Sequence, residues 1–113
     1  MYKLINNGLE SQIVDGSIDG KLPLIHFAIF LDQFHLVELL LSYFRNYIDF
    51  PENLFKLTPL HLAVILGRTE IVNLLLKYGA NYNSVDNFYQ TPLHYAVKFN
   101  NIHIIRLLKS NLK

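Results

Sequence analysis

A chain of 113 residues, 51% hydrophobic and only 17% charged, is long enough for one continuous core and too apolar to stay disordered. Its net charge of +1 with no basic run and its lack of cysteine argue against nucleic-acid binding, a disulfide framework and thiolate chemistry. Apolar runs such as 22–31 are shorter than the ~20 residues of a membrane span, and the first dozen residues show no apolar signal-peptide core.

The predicted elements divide 1–113 into four parts of a single domain. Over 1–19, Tyr2, Leu4 and Ile5 precede Asn6-Asn7-Gly8, and Ile13 and Val14 follow Glu10; this reads as two short helices capping what comes next. Over 20–55, Ile25-His26-Phe27-Ala28 opens one helix and 36–41 forms a second, with an unusually apolar connection after it that carries Tyr47, Ile48, Phe50, Leu54 and Phe55. Over 56–88, Thr58 is an N-cap, Pro59 fits the first helical position, and Gly67 ends a helix reaching Leu66, as left-handed glycine does. A second helix runs from Thr69 to Tyr78, Gly79 closes it, and 80–87 is a polar connection rich in turn formers. Over 89–113 the pattern returns, ending in Ile104, Ile105, Leu107 and Leu108.

The return is literal. Thr58-Pro59-Leu60-His61-Leu62-Ala63 comes back as Thr91-Pro92-Leu93-His94-Tyr95-Ala96, 33 residues later. Ile25-His26-Phe27-Ala28 is an earlier, decayed copy at an offset of 35, with Pro23 and Leu24 where Thr and Pro belong. A fixed period of this length marks units that bury their apolar faces only against their neighbours.

These residues resemble the ankyrin repeat family: the TPLHxA signature, the second helix of 71–76 and the Gly79-Ala80 exit to Asn83 match almost position by position over 58–83. The resemblance implies an all-α solenoid of antiparallel helix pairs, about three repeats plus an N-terminal capping half unit, with 89–113 as the C-terminal capping repeat. The family's hairpin-tip glycine is replaced by Lys56 and Tyr89. A positive φ is costly for such residues, so non-standard tips are expected, with Asn87 taking the left-handed conformation instead. Asn83 is expected to brace the hairpin through its side chain.

Five histidines are the residues that invite a chemical reading. His26, His61 and His94 share one repeat position. Stacked helix pairs stand roughly 10 Å apart, too far for one zinc with ligands at about 2 Å. The resemblance makes them structural, bonding the neighbouring hairpin and the Thr hydroxyl. His35 and His103 fall at a surface position. No nucleophile elbow or phosphate loop is present, and Asp49 and Asp86 read as turn formers or caps. No enzyme, cofactor or metal is expected.

What remains is an apolar surface. In the resembled fold the two residues before the inter-helix glycine face a concave groove; here they are Phe30 and Leu31, Ile65 and Leu66, Lys98 and Phe99. Phe55, Leu57 and Phe88 join them at the tips, and Tyr43 and Tyr78 near the helix exits. Large exposed apolar patches signal a partner, and aromatics dominate binding hot spots. The expected function is therefore a protein-interaction module, an inhibitor, immunity protein or host-directed effector. The alternative is self-association, a homodimer closed through the groove. The expected location is cytoplasmic, in the host cell if the source is a pathogen or virus.

Overall fold

The computed structural model describes residues 17–18 and 22–111. The cap expected over 1–19 lies outside the described residues apart from Ser17–Ile18. That dipeptide (β1) pairs antiparallel with Leu22–Pro23 (β2), Ser17 opposite Pro23 and Ile18 opposite Leu22.

Three helix pairs follow: α1 Leu24–Phe30 with α2 Phe34–Tyr43, α3 Pro59–Ile65 with α4 Thr69–Lys77, and α5 Pro92–Lys98 with α6 Ile102–Ser110. The first helices stack as one layer, α1 on α3 on α5, and the second helices as another, α2 on α4 on α6. A single 3-10 turn, Arg45–Tyr47, interrupts the long first connection, where Tyr47 packs between Phe44 and Phe50 at ring separations of 6.0 and 5.3 Å.

The same local chemistry starts α3 and α5. Thr58 Oγ1 accepts from the His61 N–H at 3.2 Å, while His61 Nδ1 accepts from the Thr58 N–H at 3.2 Å. Thr91 and His94 repeat this reciprocal arrangement, a capping box in which histidine does the work usually given to glutamate. Pro59 and Pro92 follow at the first helical position. In α1 the cap residue is Pro23, which makes no side-chain bond.

All three first helices also end alike. Asp32, Gly67 and Asn100 take φ of 58°, 72° and 54°. The carbonyls of Ala28, Ala63 and Ala96 then accept from Gln33, Arg68 and Asn101 five residues on, at 2.9, 2.8 and 3.0 Å. This is the Schellman closure, which satisfies carbonyls that a helix end leaves without partners. Asp and Asn serve in place of glycine because their short polar side chains tolerate the left-handed region.

Ala28, Ala63 and Ala96 are fully buried, and their small side chains suit close packing of the first helices. Ile29, Leu60, Val64, Val37, Val72, Leu41 and Leu75 fill the space between layers. Leu41 and Leu76 are buried, but their counterpart in α6, Lys109, is exposed. Lys109→Leu should therefore raise aggregation, measured by light scattering, while changing unfolding free energy by no more than ~0.5 kcal/mol, the usual size for a surface substitution. A gain of several kcal/mol in urea denaturation would place this side chain in the core instead.

Candidate partner-binding surface

The loop tips depart from expectation. Lys56 and Tyr89 themselves adopt the left-handed conformation, φ 61° and 59°, and Asn87 does not. The turn keeps its shape because a buried carboxylate at its start collects the backbone donors. Glu52 accepts from the N–H groups of Leu54, Phe55 and Leu57 at 2.6, 2.7 and 3.0 Å. Asp86 Oδ1 accepts from Phe88 and Gln90, both at 2.9 Å. Hydrogen bonds to a charged group contribute about 1.5–3 kcal/mol each. A left-handed non-glycine residue costs about 1–2 kcal/mol, so two or three such bonds outweigh it.

Neighbouring tips are also tied to each other. Asn87 donates from its N–H to Phe55 O at 2.9 Å and from Nδ2 to Leu54 O at 3.2 Å, and the Phe55 and Phe88 rings stack at 6.1 Å. Glu52 escaped the sequence reading because it stands six residues before Thr58, whereas Asp86 stands five before Thr91. The extra residue hides the equivalence. Tyr89 is 81% exposed, so its side chain contributes little packing. Tyr89→Gly should stabilise the protein by about 1 kcal/mol by removing the left-handed strain, read from the denaturation midpoint. Destabilisation would mean that the ring itself holds the tip.

The histidines brace the stack. His26 Nε2 donates to Leu57 O, and His61 Nε2 to Gln90 O, each at 2.7 Å. Each bond ties a first helix to the tip of the next repeat. His61 Nδ1 accepts from Thr58, but His26 Nδ1 is buried and has no partner among the described residues. The cause is Pro23, which has neither a hydroxyl nor an N–H to offer. Among the described residues, no cluster of three His, Cys, Asp or Glu could hold a metal. His35 and His103 are exposed, and among the described residues His94 bonds only to its own Thr91 cap.

Burial pushes His26 down to about 4, against the Leu57 carbonyl and Glu52, which favour its charged form. Burial lowers His61 as well, against the Gln90 carbonyl and Asp86. The unfolded chain thus binds more protons than the native one between pH 6.5 and about 4, so stability rises with pH across this window. Lowering pH from 7 to 4 should erode unfolding free energy steadily. His61→Ala should cost about 1–3 kcal/mol at pH 7, through the tip carbonyl and Thr58 left unpaired, and should show a shallower acid slope. An unchanged slope would remove His61 from the linkage.

The predicted surface residues divide by exposure. Phe30, Leu31, Phe88 and Phe99 are exposed at 53, 47, 60 and 52%. Tyr43, Phe55 and Lys98 are also exposed, while Leu57, Ile65, Leu66 and Tyr78 are half-buried. Leu66 rests against the core. Tyr78 lies under the Arg45 guanidinium, 5.5 Å from its ring centre, and its hydroxyl is 3.4 Å from Ser42 Oγ.

The sequence reading overlooked a further column, the residue after each repeat histidine: Phe27, Leu62 and Tyr95. Phe27 is exposed, and the other two are half-buried. The variable position of the TPLHxA signature was the signal available for it. The Tyr95 ring stacks on Phe99 at 6.5 Å and meets His61 edge-on at 5.9 Å. Its hydroxyl donates to Asp86 Oδ2. Burial, reinforced by that carboxylate, pushes Tyr95 up to about 12. Burial pushes Asp86 up as well, but the Tyr95 hydroxyl and the tip N–H groups outweigh it and hold the carboxyl below its usual range.

One more residue was misjudged. Asn83 is exposed and its side chain makes no hairpin bond among the described residues; the Asn81 side chain does, accepting from the Asn83 N–H at 2.9 Å. Asp49, in the preceding connection, accepts from the Asn81 N–H at 2.8 Å and so ties the two connections together. Arg68 reaches back to the end of α1, donating to Phe30 O at 2.8 Å and Ile29 O at 3.3 Å. It thereby fixes the backbone that presents Phe30.

A family model described as ankyrin repeats (3 copies) matches residues 25–113. A search of curated proteins returns no match. Among the described residues no helix is long and apolar enough to cross a membrane. The matched span takes in all three helix pairs, the tips and the histidine braces, and the chain belongs to the ankyrin-repeat family of non-catalytic protein-interaction scaffolds.

Proposed function

We propose that this chain binds a partner protein through its concave side, with Phe30, Leu31 and Phe99 as groove anchors and Phe55 and Phe88 at the tips. The observation that carries the reading is that one repeat position, just before the left-handed residue that ends each first helix, presents an exposed apolar side chain in the first and third units. Leu31 and Phe99 are both about half exposed, where a monomer alone gains nothing from them. Arg68 and the tip carboxylates hold the surrounding backbone in place before any partner arrives, and a preformed surface loses little entropy on association. Ile65, Leu66, Leu57 and Tyr78 form the half-buried floor, and Lys98 and Tyr43 the polar rim. Such a module acts by occupancy, as an inhibitor, an immunity protein or a host-directed effector does.

The test is the double variant Phe30→Ser with Phe99→Ser, assayed for partner binding and melting temperature together. Buried aromatics at hot spots contribute about 2 kcal/mol or more each, and about 1.4 kcal/mol is tenfold. Partner affinity, measured on the partner recovered by affinity purification, should fall at least ~30-fold while the melting temperature stays put. A large drop in melting temperature would make these rings core residues. Conversion of a wild-type dimer to a monomer, seen by light scattering at two concentrations, would give the groove to a second copy of the chain.

A further inference from the structure

One end of the groove differs from the rest in its hydrogen-bonding capacity. An open pocket of about 410 Å³ lies between the second tip and α5, lined by Phe88, Gln90, His94, Tyr95 and Lys98. Its aromatic walls are Phe88 and Tyr95. Its Lys98 and His94 groups are donors, the Gln90 amide adds one oxygen acceptor, and the other nearby acceptors are already used. Asp86 takes the Phe88 and Gln90 N–H groups on one oxygen and the Tyr95 hydroxyl on the other. The Phe88 carbonyl accepts from Gln90 Nε2 at 3.2 Å.

Two donors are left over. His94 Nδ1 accepts from the Thr91 N–H at 2.8 Å and lies 2.9 Å from Thr91 Oγ1, the same arrangement as His61, which leaves the ring proton on Nε2. In His26 and His61 that N–H reaches the carbonyl of the next tip. For His94 no acceptor lies within hydrogen-bond distance among the described residues. Lys98 is exposed at the end of α5 and pairs with no carboxylate among the described residues. The pocket therefore offers one cation and one N–H donor beside aromatic walls.

We infer that this pocket recognises an aspartate or glutamate side chain of the partner, carried next to apolar residues that lie along the groove. A carboxylate has two oxygens to meet the ammonium and the imidazole N–H, and an adjacent apolar side chain covers Phe88 and Tyr95. A basic partner side chain would face Lys98 and would find Asp86 already saturated. The inference rests on the groove reading above and adds the chemistry of the segment that fills it.

A random peptide library of about 12 residues, displayed as N-terminal fusions so that no free terminal carboxylate is offered, tests both. The baits are wild type, Lys98→Gln, Lys98→Glu and the Phe30/Phe99 double serine variant, each checked for an unchanged melting temperature. Wild type should select peptides that pair Asp or Glu with apolar residues. The best of them, measured by fluorescence anisotropy, should bind Lys98→Glu about tenfold more weakly, with Lys98→Gln between, since like charges brought together are strongly unfavourable. Apolar peptides without acid enrichment, or equal affinity for wild type and Lys98→Glu, would overturn this inference and leave the groove reading standing, provided the double serine variant loses binding. Failure to select any peptide, or selection indifferent to Phe30 and Phe99, would overturn both.

Discussion

The structure depends on one bond made twice, from a first-helix histidine to the backbone of the next tip. His26 reaches Leu57 O and His61 reaches Gln90 O at the same 2.7 Å. Each bond joins residues about thirty positions apart and fixes the tip relative to the helix beside it. The tip in turn needs its own internal support, because Lys56 and Tyr89 occupy a conformation that disfavours them. Glu52 and Asp86 supply it from inside the turn. Brace and carboxylate act on the same few atoms: the Glu52 carboxylate holds the Leu57 N–H while the His26 ring holds the Leu57 carbonyl.

The consequence is a surface whose shape is settled by polar chemistry while its contact area is apolar. Phe55 and Phe88 stack because Asn87 ties their two loops together. Phe99 is oriented by Tyr95, which is anchored through its hydroxyl to Asp86. Phe30 sits on a backbone held by Arg68. None of these aromatic rings is placed by burial alone, which is why they can stay exposed and still be ordered.

Much of this was legible in the sequence. Thr58-Pro59 and Thr91-Pro92 announce helix starts by local chemistry alone, and the 33-residue step fixes the stack. The positions before Asp32, Gly67 and Asn100 are structurally equivalent, each just ahead of a left-handed residue, although only one of the three carries glycine. Other features were not legible, each for a physical reason. Glu52 sits one residue out of register. Arg68 acts across repeats, on carbonyls with no sequence signature. The tips looked non-standard because a glycine was missing, yet a side-chain acceptor two to five residues away can replace backbone freedom with hydrogen bonds. Exposure was the hardest to read: Leu66 and Phe99 hold equivalent positions, yet one leans on the core and the other faces outward.

The three histidines show how a repeat changes along a stack. His61 satisfies both nitrogens, one through Thr58 and one through Gln90. His26 keeps the tip bond but loses its cap partner to Pro23, leaving Nδ1 buried and unpaired among the described residues. His94 keeps the cap, and among the described residues no tip carbonyl lies within reach of its Nε2. A buried orphan acceptor costs about 1–3 kcal/mol, which α1 tolerates because Ile25, Ala28 and Ile29 are buried around it. An exposed N–H carries no such cost, since water can serve it until something better arrives. The same residue type at the same repeat position is thus a full brace in the middle unit and a strained one in the first. In the last it is an available donor, beside the exposed Lys98 and Phe99.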